Sequence, residues 1–331
     1  MTYNESWNRP HQPTDAENWQ ESDCYWFYDS ENQVGGYHRI GQYPNRGTGQ
    51  VLTFAFKKGG RCFRLIKEYQ HIECARTETG QTVGSSAVQS LGDGRINYSW
   101  AEPDGGASLE FHQPFYTPRN WTKEVSEHEG GSSVHDSMNA DGHLEVAGRL
   151  KGRLRLGDEE YAVDALAHRD RSWGPRDYMV ARQHRMVTGT LGEHLSWVAM
   201  IVQMENGFVA KVGYVARNGE TTDITDLKVL TEFDWDGFTV SGLRAQLALE
   251  DGSQLELDGI AAQGFQFFTK GWAATSHHFI EVERDGTRGF TILDATNRPA
   301  KGFYVPPQNE VSLIRASDGL CDSADYSELR W

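Results

Sequence analysis

The chain has 331 residues, enough for two domains of roughly 100 to 200 residues each or for one large β assembly. Its formal net charge of -15 at pH 7 argues against nucleic acid or an anionic membrane as the main partner, because phosphate binding relies on clustered lysine and arginine. No stretch approaches the roughly 18 apolar residues of a membrane span, and residues 1–5 lack the basic and apolar regions of a signal peptide. We therefore expect a cytoplasmic protein that binds a small molecule, without membrane insertion.

The first thirty residues are rich in aromatic side chains without regular spacing, so we expect them to lie across the first β unit. The four cysteines form no Cys-x-x-Cys pair and no zinc-like spacing with histidine, which favours reduced structural thiols over a disulfide framework. They are Cys24, Cys62, Cys74 and Cys321.

Hairpin signals recur along most of the chain. Asp-Gly and Asn-Gly dipeptides tolerate the positive φ of tight hairpin turns. They begin at residues 93, 104, 141, 206, 218, 236, 251, 258, 285 and 318. Apolar residues alternate between these turns, most clearly over 144–156, where Gly148 and Gly152 suggest a bend or barrel corner. Only 120–128 and 309–316 show helical spacing, so the predicted fold class is all-β.

Antiparallel strands with one apolar face must close into barrels or stack as sandwiches to hide their edges. The length fits two such units packed together. Since Trp173-Gly174-Pro175 interrupts the strand pattern near mid-chain, we predict an N-terminal domain over 1–180 and a C-terminal domain over 181–331.

The densest group of reactive side chains is the run from His168 to Asp177. Residues 161–170 read as a strand on which His168 and Asp170 share one face. A carboxylate there can orient an imidazole, or it can be held protonated by apolar surroundings until it donates. With Arg171 beside them, these residues are the predicted catalytic group, and Trp173 would supply an aromatic wall for a cationic intermediate.

The arginines near this run allow two interpretations. Arg169, Arg171 and Arg176 could bind a substrate carboxylate, or they could neutralise buried acids in a structural ion-pair network. Spacing alone does not separate these alternatives.

Two further residues are predicted to line the binding site. Trp272 lies in an apolar segment, although ordinary barrel core is the more common role of such a residue. His277 could enter the site, but its neighbour His278 must point to the opposite face of the strand. No metal-binding histidine motif is present, and no glycine-rich piece precedes a helix, so we predict neither a metal nor a nucleotide cofactor.

The run 164–176 resembles a known superfamily, as do the preceding Gly-Arg-Leu-Lys-Gly-Arg-Leu strand and the Asp-Gly-Thr-Arg-Gly-Phe hairpin at 285–290. It is the lipocalin-like superfamily that includes the AttH proteins and the carotenoid 1,2-hydratases. The resemblance covers nearly the whole chain and implies two successive lipocalin-like barrels. The hydratases carry His-Asp-His-Asn-Trp-Gly, whose acid and tryptophan fall on Asp170 and Trp173. Arg169 and Arg171 replace the flanking histidines, and His168 lies one position earlier, so carotenoid hydration itself is not implied.

Three functions follow as hypotheses. The resemblance implies a cofactor-independent hydratase, dehydratase, isomerase or cyclase that acts on a terpenoid, steroid or polyketide-like molecule between the β units. The alternative is a non-catalytic carrier of a hydrophobic metabolite, with the arginines binding its acid group. Carbohydrate binding or hydrolysis ranks last, because no second acid can be paired with Asp170 from the sequence. The sequence leaves open whether the protein is a homodimer.

Overall fold

The computed structural model describes residues 4–120, 141–177, 181–233, 240–269, 273–297 and 319–322. Strands dominate this part of the chain, which confirms the all-β prediction. The helical elements described are three short 3-10 turns, at Glu5–Asn8, Pro44–Arg46 and His71–Glu73. None of the described helices is long and apolar enough to cross a membrane. The two segments with helical spacing, 120–128 and 309–316, lie outside the described residues apart from residue 120.

One large antiparallel sheet forms the first unit. Its strands are β1 (Trp19–Asp29), β2 (Val34–Tyr43), β3 (Thr48–Lys57), β4 (Arg61–Gln70), β5 (Cys74–Arg76), β6 (Gly80–Val83), β7 (Ser86–Gly92), β8 (Arg95–Glu102), β9 (Gly105–Pro114), β10 (Arg119–Asn120), β11 (Gly142–Leu156) and β12 (Glu159–Pro175). A late strand, β21 (Gly319–Asp322), also joins this sheet.

The spatial order of the first unit runs β21-β4-β3-β2-β1-β12-β11-β9-β8-β7-β6-β5, with β10 paired to β11. Strand β1 therefore pairs with β2, the next strand in the sequence, and with β12, the last of the twelve strands that precede the barrel. Strand β21 pairs with β4, although its residues fall in the segment predicted as the second domain.

The second unit is a closed eight-stranded barrel. Its strands are β13 (Ala181–Leu191), β14 (Leu195–Met204), β15 (Val209–Arg217), β16 (Glu220–Phe233), β17 (Val240–Leu249), β18 (Gln254–Thr269), β19 (Ala273–Arg284) and β20 (Thr287–Asn297). Closure comes from the pairing of β13 with β20, so no edge is left among these strands.

Strand β11 shows the predicted irregularity. Its register with β9 shifts between Arg149 and Leu150. Gly152 has φ +148, and a Cβ there would lie 2.0 Å from the carbonyl oxygen of Ser108. A glycine is therefore needed at Gly152, because the neighbouring backbone approaches too closely for any side chain.

The apolar core joins the two units. The larger cluster of buried side chains contains residues of both units, whereas a second cluster fills the barrel lumen. At the contact, Phe54 stacks on Phe265 with ring centroids 4.4 Å apart, and Phe56 meets Phe279 edge-on at 5.0 Å. Burying such a ring contributes about 1.5 to 3 kcal/mol. The face of the first sheet that carries Phe54 and Phe56 is therefore covered by the barrel. We call it the outer face of the sheet, and the opposite face the inner face.

Candidate active site

Four adjacent strands, β11, β12, β1 and β2, place polar side chains in rows on the face that meets the barrel. Residues directly opposite each other in a sheet point to the same side. One row contains Glu145, Asp170, Cys24 and Arg39, and the next contains Ala147, His168, Trp26 and Tyr37.

Two acids and two histidines form one group on this face, which we call the acid–histidine cluster: His143, Glu145, His168 and Asp170. The Nε2 atom of His143 lies 3.2 Å from Glu145 Oε1 and 3.2 Å from Asp170 Oδ1. The other oxygen of Glu145 contacts His168 Nε2. Thr188 of the barrel places its Oγ1 3.0 Å from the same His168 nitrogen and donates to the carbonyl of Trp197. The cluster therefore lies on β11 and β12 of the first unit and contacts the barrel through Thr188.

Charges within the cluster stabilise each other. Burial disfavours the charged form of His143, but Asp170 and Glu145 outweigh it and raise the pKa of His143 to about 9. Burial alone would raise the pKa of Asp170, whereas its contacts with His143, together with Arg176 and His168, lower it below the usual range. At neutral pH His143 is then an imidazolium beside an ionised Asp170. This favours the first role considered for Asp170, an ionised carboxylate next to an imidazole.

The carboxylates of the cluster keep unused hydrogen-bonding capacity. Glu145 Oε1 and Asp170 Oδ1 are buried, yet neither has a well-aligned hydrogen bond among the described residues. Buried polar atoms are usually satisfied, so such exceptions mark places where a ligand or water can bind.

The same atoms form a candidate cation site. The ligand atoms of His143, Glu145 and Asp170 lie within 4.8 Å of one another, so the three side chains could hold a metal ion. The sequence-based expectation that no metal binds stays a prediction.

A second group of titratable side chains lies on the barrel, opposite Trp26. His184 Nε2 lies 3.0 Å from Asp294 Oδ1, and His277 Nε2 lies 3.3 Å from Asp294 Oδ2. Trp26 Nε1 donates to His277 Nδ1 at 3.2 Å. Burial would raise the pKa of Asp294, but His277 and His184 lower it well below its usual range. We call His184, Asp294 and His277 the Asp294 cluster.

Aromatic rings separate the two clusters. Trp26 lies 6.2 Å from the ring of His168 and 5.7 Å from the ring of His277. Tyr37 stacks on Trp26 at 5.2 Å and meets His277 edge-on at 4.7 Å. The hydroxyl of Tyr37 has no hydrogen-bond partner among the described residues. Burial raises the pKa of Tyr37, and the nearby charges of Asp170 and Asp294 add to the effect. Tyr37 therefore lies near both carboxylates.

The structure separates the predicted catalytic residues between two faces. His168 and Asp170 share the face toward the barrel, as their alternation predicts. Arg169 and Arg171 point into the first unit, where both bind Asp23. Arg171 also pairs with Glu21 and donates to the backbone carbonyls of Trp7 and Arg9. Two of the predicted site arginines thus occupy the structural ion-pair network that was the alternative interpretation.

Trp173 does not form a wall beside Asp170. Strand β12 continues through Pro175 instead of ending at Asp170, so alternation places Trp173 on the inner face with the arginines. There it stacks on His11 with ring centroids 3.9 Å apart. Trp26 of β1 instead lies beside the acid–histidine cluster, with its ring 6.2 Å from that of His168.

The remaining predicted binding residues have separate locations. Arg176 donates to Ser172 Oγ at 2.6 Å and lies near enough to Asp170 to lower its pKa. His277 belongs to the Asp294 cluster. Trp272 lies outside the described residues.

Sequence reasoning missed His143 and Glu145 on β11. A signal was present, because these polar residues alternate with Leu144 and Val146, which were used to identify the strand. The face of β11 opposite to Leu144 and Val146 carries His143 and Glu145, which are half of the acid–histidine cluster. Asp294 had no comparable signal, since a lone acid in an apolar strand does not reveal its partners.

A cavity of about 280 Å³ lies at one end of the barrel. Its lining residues are Gln183, His184, Arg185, Ile201, Gln203 and Val209. His184 thus belongs both to the Asp294 cluster and to the lining of this cavity.

Solved structures share the fold. A putative AttH protein from Nitrosomonas europaea superposes with a TM-score of 0.61 at 11% identity, covering 87% of this chain and 94% of its own. CghA with Sch210972 gives 0.60 at 11% identity, covering 91% and 99%. Kievitone hydratase from Nectria haematococca gives 0.57 at 10% identity, covering 91% and 96%. The predicted recognition of an AttH-like fold of two lipocalin-like units is confirmed.

Sequence comparison places the chain within a family. No curated protein matches the sequence. A family model described as a domain of unknown function, DUF7064, matches residues 4–299. Because this match covers most of the chain, the protein belongs to the DUF7064 family.

Proposed function

We propose that this protein is an acid–base enzyme of the hydratase, dehydratase, isomerase or cyclase type. Its substrate would be a hydrophobic terpenoid, steroid or polyketide-like molecule bound between the two units, and it would need no cofactor. The observation that carries the proposal is the acid–histidine cluster, in which buried carboxylate oxygens lack well-aligned partners beside an aromatic wall.

The cluster contains both a proton donor and a proton acceptor. His143 is charged at neutral pH and can donate, while ionised Asp170 can accept. Glu145 holds His143 on one side and His168 on the other, so it is a positioning residue. Groups whose surroundings push their pKa values apart are typical of acid–base catalysis.

Apolar surroundings favour a hydrophobic substrate. Trp26, Tyr37 and Phe265 pack together next to the cluster and could contact rings or a hydrocarbon chain. Exclusion of water by these rings would strengthen the charge interactions in the site.

The structural neighbours support this class of function by analogy. One is named a hydratase, and another was solved with Sch210972. Similar folds host different reactions, so the neighbours raise the expectation without identifying a substrate.

Solvent-deuterium labelling tests the proposal without a known substrate. We would incubate the protein in D₂O with a lipid extract of its source cell and analyse the mixture by mass spectrometry. We expect one component to gain deuterium or to gain or lose water. Asp170→Asn should reduce that change by about 100-fold or more, since positioned proton transfer contributes 10²- to 10⁴-fold.

The matched control is Asp164→Asn, which alters an exposed acid on the same strand and face. It should leave the labelling unchanged. An extract in which a component binds but no mass changes would instead indicate a carrier. Full turnover by Asp170→Asn would overturn the role of this residue.

A further inference from the structure

We infer that the cavity at the barrel end is a second binding site, which takes a small carboxylic acid with a short aliphatic chain. Arg185 would bind the carboxylate, and Ile201 and Val209 would contact the chain. This site lies inside the barrel, whereas the acid–histidine cluster lies between the two units. The inference therefore goes beyond the proposed function and does not depend on it.

Strand alternation shows which side chains of β13 face the cavity. Thr188 contacts the first unit, whereas Val187 belongs to the apolar cluster that fills the barrel lumen. Odd-numbered residues of this part of β13 therefore point into the barrel, and Arg185 is one of them. The side chain of His184 points to the opposite face of the barrel wall. Arg185 is thus the charged side chain that β13 presents to the cavity.

The neighbouring strands complete the wall of the cavity. Residues directly opposite each other in a sheet point to the same side. The row through Arg185 on β20, β13 and β14 contains Ala295, Arg185 and Ile201. The next row, which ends on β15, contains Asn297, Gln183, Gln203 and Val209. The wall therefore combines one guanidinium and several amides with two larger apolar side chains, those of Ile201 and Val209.

The guanidinium of Arg185 keeps hydrogen-bonding capacity for a ligand. Its Nη1 donates to the backbone carbonyls of His184 and Thr296 at 2.7 and 3.2 Å, and its Nη2 donates to Asn297 Oδ1 at 2.8 Å. A guanidinium has five N–H groups. The Nε–H and one N–H of Nη2 therefore have no acceptor among the described residues. A carboxylate can accept from two such groups at once.

The charge of Arg185 favours an anion as the ligand. Asp294 raises the pKa of Arg185, but this acid lies on the opposite face of the barrel wall, where it contacts His184 and His277. No carboxylate in the described part of the chain forms an ion pair with Arg185. Partial burial of the guanidinium has the larger effect and lowers its pKa. A bound carboxylate would offset this cost of burying a charge.

The size and lining of the cavity limit the ligand further. Its volume of about 280 Å³ equals that of roughly nine water molecules in the liquid, which suits an acid of about eight non-hydrogen atoms. Val209 is 45% exposed, so an aliphatic chain would cover apolar surface that otherwise faces solvent. The amides of Gln183 and Gln203 bind each other at 2.7 Å and form a polar rim. Hexanoate meets these limits.

Methyl NMR with hexanoate tests the inference. In protein labelled at its isoleucine methyl groups, with the Ile201 signal assigned by Ile201→Val, hexanoate should shift that signal saturably. We expect a dissociation constant of about 1 mM or tighter for a ligand of this size. Hexanamide has the same length without the charge and should bind about 10-fold more weakly. No saturable shift by about 20 mM hexanoate, or equal binding of hexanamide, would overturn the inference.

Two substitutions locate the bound hexanoate. Arg185→Gln should weaken binding about 10-fold or more. The matched control is Arg182→Gln, which changes an exposed arginine of the same strand and should leave binding unchanged. Because Arg185 also binds backbone carbonyls, Val209→Phe provides a second variant at an exposed position, where the larger side chain should block the cavity. Unchanged binding in a folded variant of either kind would place hexanoate elsewhere and overturn the inference. These measurements do not use turnover, so they leave the proposed function to its own test.

Discussion

Both faces of strand β12 carry buried ionisable residues, but the hydrogen bonding of these residues differs between the faces. On the inner face, Arg169 and Arg171 share Asp23, and nearly every donor has an acceptor at hydrogen-bonding distance. On the outer face, Asp170 and its partner Glu145 each keep an oxygen without a well-aligned partner. The residues alternate along one strand, yet one face is a saturated network and the other is not.

The difference shows how a structural ion-pair network can be distinguished from a candidate site. A buried charge that is fully paired has no capacity left for a ligand, and removal of one partner destabilises the fold. Glu145 Oε1 and Asp170 Oδ1 have an ion-pair contact with His143 but no well-aligned hydrogen bond, so each keeps capacity for a further hydrogen bond beside the aromatic rings. Charge and burial alone do not separate the two cases. The number of well-aligned hydrogen bonds that each buried polar atom makes does separate them.

The largest expected effect is on the inner face. Asp23→Asn should destabilise the protein by about 3 to 5 kcal/mol, because it leaves two buried guanidiniums without their shared partner. Asp170→Asn should cost less than half as much. Urea unfolding of both variants measures this. The control is Asp158→Asn, which removes an exposed ion pair and is expected to leave the stability nearly unchanged. Equal destabilisation by Asp23→Asn and Asp170→Asn would indicate that the charged residues on both faces of β12 have a structural role.

A somewhat smaller effect is expected from pH on the outer face. The pKa of His143 is raised from 6.5 to about 9, so its stabilisation is complete below pH 6.5 and is lost as the pH rises through 9. The total loss is about 3 kcal/mol at most. His143→Gln should flatten the stability curve between pH 6.5 and 9, as measured by urea unfolding at several pH values. A curve that keeps its slope in the variant would show that His143 is not charged in the folded protein.

The smallest expected effect is from metal removal. Because His143 can supply the positive charge between the two carboxylates, we expect dialysis against EDTA to leave the melting temperature unchanged. A resident ion would stabilise the folded state by mass action, so its removal would lower the melting temperature. Elemental analysis of the untreated protein should find no stoichiometric metal. A stoichiometric metal would assign His143, Glu145 and Asp170 as ligands and replace the proton-transfer role of the cluster.

Part of the site could be predicted from the sequence. Strand alternation correctly placed His168 and Asp170 on one face, and the resemblance correctly indicated the fold. The sequence did not show that β12 continues to Pro175, so Trp173 was expected beside Asp170 and lies on the opposite face. Applying the same alternation to β11 would have identified His143 and Glu145, although not their distance from Asp170.

The sequence by itself determined which side chains of each strand share a face, because that alternation is set by the local geometry of an extended backbone. Only the tertiary structure decided which faces meet. The register that aligns Glu145, Asp170, Cys24 and Arg39 joins segments far apart in the chain, and the contact of Trp26 with His277 spans 251 positions. Such pairings arise from barrel closure and from burial of apolar surface between the units, which no local pattern encodes.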